Sequence, residues 1–311
     1  MSAASAAPLR VVALAGARAA AALAARLDAP LCRLESRAFA DGETHLRLHD
    51  DVAGCTVALV AELRDPDPQL AALLFAADLL HEMGASHVAL VAPYLPYMRQ
   101  DTRFHPGEAV TSRSFARLLS TACDSLITVD PHLHRHRSLD AIYTIPSTVV
   151  RSAPAIAAWV RHEVARPFIV GPDAESERWA SAVAALAGCA YRVLAKQRRG
   201  DRDVEIELPD LGALRDGTPV LVDDIVSTAG TLATAVEALS RAGCRPAVCV
   251  GVHAVFVDGA LDRLRDAGAA RVITCNTLAH ATNGIDLDDA LAAAVRAGCA
   301  ARASGGADPA A

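Results

Sequence analysis

Residues 220–232 read VLVDDIVSTAGTL. An apolar run, Val220 to Val222, delivers two adjacent carboxylates, Asp223 and Asp224, and a hydroxyl- and glycine-rich loop from Ser227 to Thr231 then opens a segment of helical period, Leu232, Val236 and Leu239, that stops at Gly243. A buried strand running into a loop and a helix is the unit of a parallel α/β sheet, and such sheets bind ligands outside the carboxyl ends of their strands. Consecutive backbone N–H groups at a helix start, helped by Ser and Thr hydroxyls, form an anion site. Carboxylates would repel the same anion, so they must address another part of the ligand, a sugar diol or a metal. Read alone, the stretch could also be a strand end with Asp turn residues and a Thr cap.

The same grammar repeats on both sides. Upstream, a strand at residues 9–15 turns at Gly16 into a helix at 17–27; Leu70, Leu73, Leu74 and Ala77 mark a helix stopped by Gly84, followed by a strand at 88–92; Phe115, Leu118, Leu119 and Ala122 mark another, followed by a strand at 126–129. Nearer the opening stretch come a strand at 168–170, a helix through Trp179, Val183 and Leu186 that stops at Gly188, and a strand at 191–194; beyond it lie strands at 247–252 and 272–275. SLITVDPHLH at 125–134 and PFIVGPDAES at 167–176 both run from an apolar strand into a polar tip, which suggests a duplicated domain. With 311 residues, two doubly wound domains are expected, 1–147 and 148–297, with the small polar tail 298–311 fraying.

Composition excludes several classes. The 30 Lys and Arg against 36 Asp and Glu give a net charge of -6, the wrong sign for coating nucleic acid, so an anionic ligand must meet a local basic patch. The eight cysteines are scattered with no CxxC pair, and read as small apolar residues of a reducing cytoplasm. No charge-free apolar run reaches the length of a membrane span. Arg18 closes the apolar run 11–17 too early for a secretory leader.

Four further segments carry chemistry. AKQRRGDRD at 195–203 holds Lys196, Arg198 and Arg199, and on its own reads as a solvated charged hairpin. Arg99, Gln100 and Asp101 follow a strand in a loop punctuated by Pro93 and Pro96. FADGE at 39–43 is a hairpin turn with Asp-Gly at its tip. His132, His134 and His136 alternate with Leu133 and Arg135; without Cys or carboxylate at ligand spacing, they read as a basic phosphate-facing loop rather than a zinc site. No GxxxxGK[ST] loop and no helix-opening GxGxxG occurs, so a nucleotide would not be held by a P-loop or a kinase glycine loop.

VLVDDIVSTAGTL closely resembles the phosphoribosyl-diphosphate (PRPP) binding motif of type I phosphoribosyltransferase folds. Together with FADGE, YMRQD at 97–101, DPH at 130–132, GPD at 171–173, AKQR at 195–198, HAVF at 253–256 and Asn276-Thr277, it narrows the resemblance to the ribose-phosphate diphosphokinase, or PRPP synthetase, family over residues 39–276. The resemblance implies an α/β fold of two tandem phosphoribosyltransferase-like domains, each a mainly parallel sheet flanked by helices, and a Mg2+-dependent cytoplasmic enzyme that transfers the diphosphate of ATP to O1 of ribose 5-phosphate, giving PRPP and AMP. It implies that Asp223 and Asp224 hold the ribose hydroxyls, that Ser227, Thr228, Ala229, Gly230 and Thr231 cradle the 5-phosphate, and that Lys196 and Arg198 sit on a catalytic loop, with Arg198 also reaching the sugar phosphate. Phe39, Asp41, Glu43, Arg99, Gln100, Asp101 and His132 would contact ATP, the first three from a neighbouring subunit, so that the active unit is a homo-oligomer of at least two chains. His132 and Asp173 would be the metal positions. Many bacterial members carry Asp at the position of Ser227, whereas archaeal-type members read IVST or IIST. The remaining alternatives are a phosphoribosyltransferase that consumes PRPP, which leaves RQD, FADGE and AKQR unexplained, and a non-catalytic regulatory partner, against which the intact Lys196, Arg198, His132 and Asp173 argue.

Overall fold

The structure, a computed structural model, describes residues 7–198, 204–207 and 212–305. The chain divides into two compact units, Met1–Val150 with Asp288–Ala311, and Arg151–Leu287.

The first unit begins β1 (Leu9–Ala13), α1 (Ala17–Leu27), β2 (Leu31–Cys32), β3 (Leu34–Ala38) and β4 (Thr44–Leu48), and continues β5 (Thr56–Val60), α2 (Asp67–Glu82), β6 (His87–Val91), α3 (Thr111–Ala122), β7 (Ser125–Val129) and β8 (Ser147–Val150). Six strands form a wholly parallel sheet in the order β2-β1-β5-β6-β7-β8. β5 and β6 are buried along their full length, as strands covered on both faces must be. Their Leu59 and Leu90 lie in register and share a core with Leu73 and Leu80 of α2 and with Phe115 and Leu119 of α3. β5 is not among the strands read from the sequence.

The second unit runs α4 (Ala153–Glu163), β9 (Pro167–Gly171), α5 (Glu177–Ala187), β10 (Tyr191–Val193), β11 (Ala195–Arg198), β12 (Val204–Glu207), β13 (Thr218–Val226), α6 (Gly230–Arg241), β14 (Val248–Ala254), α7 (Ala260–Asp266), β15 (Arg271–Cys275) and β16 (Asn283–Ile285). Its parallel sheet has the order β10-β9-β13-β14-β15-β16. Counted along the chain, both sheets order their strands second, first, third, fourth, fifth, sixth, and both units insert one antiparallel hairpin, β3–β4 or β11–β12, between the second and third. The echo between residues 125–134 and 167–176 does not reflect this shared topology, because β7 is the fifth strand of the first sheet whereas β9 is the first strand of the second. α5 ends where Gly188 takes a left-handed conformation that only glycine adopts without cost.

The last helix, α8 (Asp288–Gly305), returns to the first unit, where it packs on α1, β7 and β8. Arg26 of α1 pairs with Asp288 at 3.4 Å and with Asp289 at 2.7 Å, and Leu291, Ala292 and Val295 are buried. Of the tail 298–311 expected to fray, residues 298–305 are instead helical, and residues 306–311 lie outside the described residues. The alanine-rich sequence through Ala303 propagates the helix across Gly298, and the contact division assigns residues 288–297 to the first unit instead of the second. Among the described residues no helix is long and apolar enough to cross a membrane.

Candidate active site

In the second unit the strand order reverses between β9 and β13, the crevice where open α/β sheets bind ligands. Asp173 follows the end of β9, while Asp223 and Asp224 lie on the last part of β13. Asp224 is buried, and its Oδ1 accepts the Ile225 N–H at 2.8 Å; Asp223 Oδ1 accepts the Asp224 N–H at 3.0 Å. Burial, then the negative charges of Asp224 and Asp173, push the Asp223 carboxyl well above its usual range. Asp223 therefore feels both neighbouring carboxylates, as a charge does where a cation or sugar hydroxyls are to be received.

Asp173 is held in place locally. Its Oδ1 accepts the Ser176 N–H at 3.2 Å and the Ser176 hydroxyl accepts the Asp173 N–H at 3.2 Å, a reciprocal capping box around a short turn of 3₁₀-helix. Gly171 makes room for that hydroxyl, because a Cβ there would stand 2.7 Å from Ser176 Oγ.

Beyond Val226 the chain turns through Ser227 and Thr228, takes a left-handed conformation at Ala229 (φ 58°) and enters α6 at Gly230. The first N–H groups of α6 have no acceptor within the helix, which gives this turn its capacity for anions. The outward-facing carbonyls are engaged: Ser227 accepts the Val257 N–H at 3.3 Å, and Thr228 accepts Arg263 Nη1 at 3.1 Å. Arg263 has no counterpart in the sequence reading, since nothing in residues 259–266 resembles a ligand motif and only the fold brings α7 to this turn.

Lys196 and Arg198 lie on β11, paired with Ile206 and Val204 of β12, so this part of the charge run is one strand of an antiparallel pair, while residues 199–203, Arg199 among them, lie outside the described residues. His253, on β14, is buried and its Nδ1 is 2.9 Å from Thr277 Oγ1, which in turn donates to the Val252 carbonyl at 3.0 Å. With the hydroxyl proton spent on that carbonyl, His253 Nδ1 is the donor. The pair braces the strands beside the crevice, which accounts for the HAVF and Asn276-Thr277 segments in structural terms.

The other residues of interest belong to the first unit. Phe39, Asp41 and Glu43 form the exposed turn of β3–β4, where the Phe39 N–H bonds to Glu43 O at 2.8 Å and Asp41 Oδ1 accepts the Glu43 N–H at 3.2 Å. Phe39 is 46% exposed, with the Arg37 guanidinium 4.7 Å from its ring centroid and His45 at the ring's edge, so it keeps accessible surface for stacking. In the loop after β6, Arg99 is exposed and Gln100 Oε1 accepts the Thr111 hydroxyl at 3.3 Å. Asp101 is buried, and Arg135 takes both its oxygens, through Nη1 at 2.7 Å and the backbone N–H at 3.0 Å. Burial opposes ionisation of Asp101, but these bonds outweigh it and hold the carboxyl below its ordinary range. Asp101 thus ties its loop to the histidine-rich one, where the His132 and His134 rings stack at 6.2 Å. His132 and Asp173 stand in different units, and no three His, Cys, Asp or Glu among the described residues form a metal cage.

Sequence comparison places this geometry. Residues 11–123 match the N-terminal domain of ribose phosphate pyrophosphokinase, and residues 138–290 match the phosphoribosyl transferase domain. The ribose-phosphate pyrophosphokinase of Sulfolobus acidocaldarius is 34% identical over 83% of this chain and 89% of its own length. That of Methanobrevibacter smithii is 32% identical over 88% and 95%. The crystal structure of phosphoribosylpyrophosphate synthetase from Mycobacterium smegmatis superposes with a TM-score of 0.81 at 26% identity, covering 93% of this chain and 98% of that one. Because the likeness runs through both units and nearly the full length of these relatives, the chain belongs to the ribose-phosphate pyrophosphokinase family.

Proposed function

We propose that the chain transfers the β,γ-diphosphate of ATP to O1 of ribose 5-phosphate, giving PRPP and AMP. The observation that carries the reading is the crevice at the β9/β13 reversal, where an acidic strand end adjoins an anion-binding helix start. One ligand that satisfies both is a sugar phosphate. Asp223 and Asp224 accept hydrogen bonds from the ribose hydroxyls, and the turn Ser227, Thr228, Ala229, Gly230 and Thr231 donates to the 5-phosphate. The O1 oxygen attacks the β-phosphorus, the bond from that phosphorus to the oxygen bridging to the α-phosphate breaks, and AMP leaves with the bridging oxygen while the O1 proton passes to solvent. No covalent intermediate with the protein is needed. Lys196 and Arg198 neutralise charge on the moving diphosphate, the contribution that phosphoryl transfer most requires of a protein.

Mg2+ fits the residues present: Asp173 supplies a hard oxygen donor, the mutual repulsion of Asp173, Asp223 and Asp224 favours a cation beside them, and a metal that keeps waters and binds substrate phosphates needs no protein cage. Bound there, it would offset phosphate charge. His132 is the first unit's candidate for the metal and would act through water or phosphate. Arg99, Gln100, Asp101 and His132 contact ATP, Asp101 by holding the loop through Arg135. The exposed Phe39, Asp41 and Glu43 turn completes the adenine site of a neighbouring copy, making the working form a homo-oligomer in the cytoplasm.

Kinetics separate the two charge clusters. Asp223→Asn and Asp224→Asn should mainly raise KM for ribose 5-phosphate, because a strand end holds the diol in ground and transition states alike, whereas Lys196→Ala should lower kcat by roughly 10²-fold or more. Asp variants that lose only kcat, or a Lys196 variant with wild-type turnover, would refute the assignment.

A further inference from the structure

We infer that Arg263 is a positioning residue for the ribose 5-phosphate cradle, a role resting on the sugar-phosphate site proposed above. In a trans peptide the C=O of one residue and the N–H of the next point in opposite directions. A donor that fixes the outer carbonyl therefore fixes the inner N–H. Val257 N–H on Ser227 C=O orients the Thr228 N–H, and Arg263 Nη1 on Thr228 C=O orients the Ala229 N–H. Ala229 is the left-handed residue, at φ 58°, about which the cradle turns into α6.

Arg263 also stays close to the cradle's next residue, since a Cβ on Gly230 would lie 3.7 Å from Arg263 Nη1. The neighbouring carboxylate does not compete for it: Asp262 is engaged by Arg265 at 3.0 Å. The charge has a purpose here. A phosphate dianion entering this crevice approaches Asp223, Asp224 and Asp173, and a guanidinium behind the turn offsets part of that repulsion while polarising the peptide that it holds. Because α7 carries Arg263 on the outer side of the turn, its effect falls on the bound sugar phosphate in ground and transition states alike, and so on affinity rather than on turnover.

The test uses the full chain with Arg263→Ala, Arg263→Gln and Arg263→Lys. Ribose 5-phosphate binding is measured by calorimetry without ATP, and steady-state kinetics are measured with ATP and Mg2+. Arg263→Ala should weaken ribose 5-phosphate binding and raise its KM about tenfold, with kcat and KM for ATP changed less than about twofold. Arg263→Lys should recover most of the loss and Arg263→Gln little of it, a ranking that mere destabilisation of the turn would not produce. Wild-type affinity in Arg263→Ala, or a fall in kcat that Lys does not rescue, overturns the inference. The calorimetric comparison needs no turnover: a wild-type chain that binds the sugar phosphate yet releases no AMP would sink the proposed reaction and leave the Arg263 result standing.

Discussion

A single buried carboxylate shows how a residue in a segment proposed to meet ATP can act through the fold. Both oxygens of Asp101 are taken by Arg135, and its depressed carboxyl means that its contribution to stability is present above the ordinary carboxylate value and lost as pH falls through the lower folded one. Asp101→Asn should lower the unfolding free energy by about 2 kcal/mol, the worth of hydrogen bonds between charged groups, and the variant should lose less further stability than the wild type below about pH 4. Urea titrations at neutral and acidic pH measure both. Equal stability of the two proteins at neutral pH would show that the Arg135 pairing does not hold the loops. RQD was legible as a segment, but the burial of its third member was not, because Arg135 lies 34 residues on and nothing in local pattern joins them.

At the scale of elements, most of the central parallel strands and the helices beside them were legible because buried strands are short apolar runs and the helices carry a clear period that glycine stops, whereas β5, the short edge strands β2, β8 and β16, and the helices α4 and α7 were not read. The β-hairpin of FADGE was legible for a local reason too, its Asp-Gly turn. Arg263 and the His253–Thr277 brace were not, since each depends on strands that adjoin only through the sheet order. Gly251 belongs with them. It pairs with Asp223, and a Cβ there would stand 2.5 Å from Val226 Cγ2, at the residue before the cradle. Gly251→Ala should therefore cost about 1–3 kcal/mol by overpacking and raise KM for ribose 5-phosphate. Val226→Ala in the same chain should restore part of the stability, which a double-mutant cycle by thermal denaturation would show; strict additivity would mean that the two side chains do not meet.

At the scale of the molecule, the proposed reaction divides the labour between two units of one topology, with the sugar phosphate assigned to one and ATP to the other. The two strand tips that suggested a duplication are the fifth strand of one sheet and the first of the other, so the repeat itself was not legible in them, and the return of α8 to the first unit was hidden because an alanine-rich end reads equally as helix or tail. If the exposed Phe39, Asp41 and Glu43 turn serves a neighbouring copy, mixing a dead Lys196→Ala chain with a dead Glu43→Ala chain should restore activity, since some sites then receive one intact half from each. Full activity in a verified monomer would contradict that arrangement. The central claim concerns which bond of ATP is broken, and product identity tests it most directly. With ribose 5-phosphate, Mg2+ and ATP labelled at the β-phosphorus, the account predicts AMP without label and one labelled sugar product bearing the diphosphate at O1; labelled ADP, or label left on the nucleotide, would contradict it.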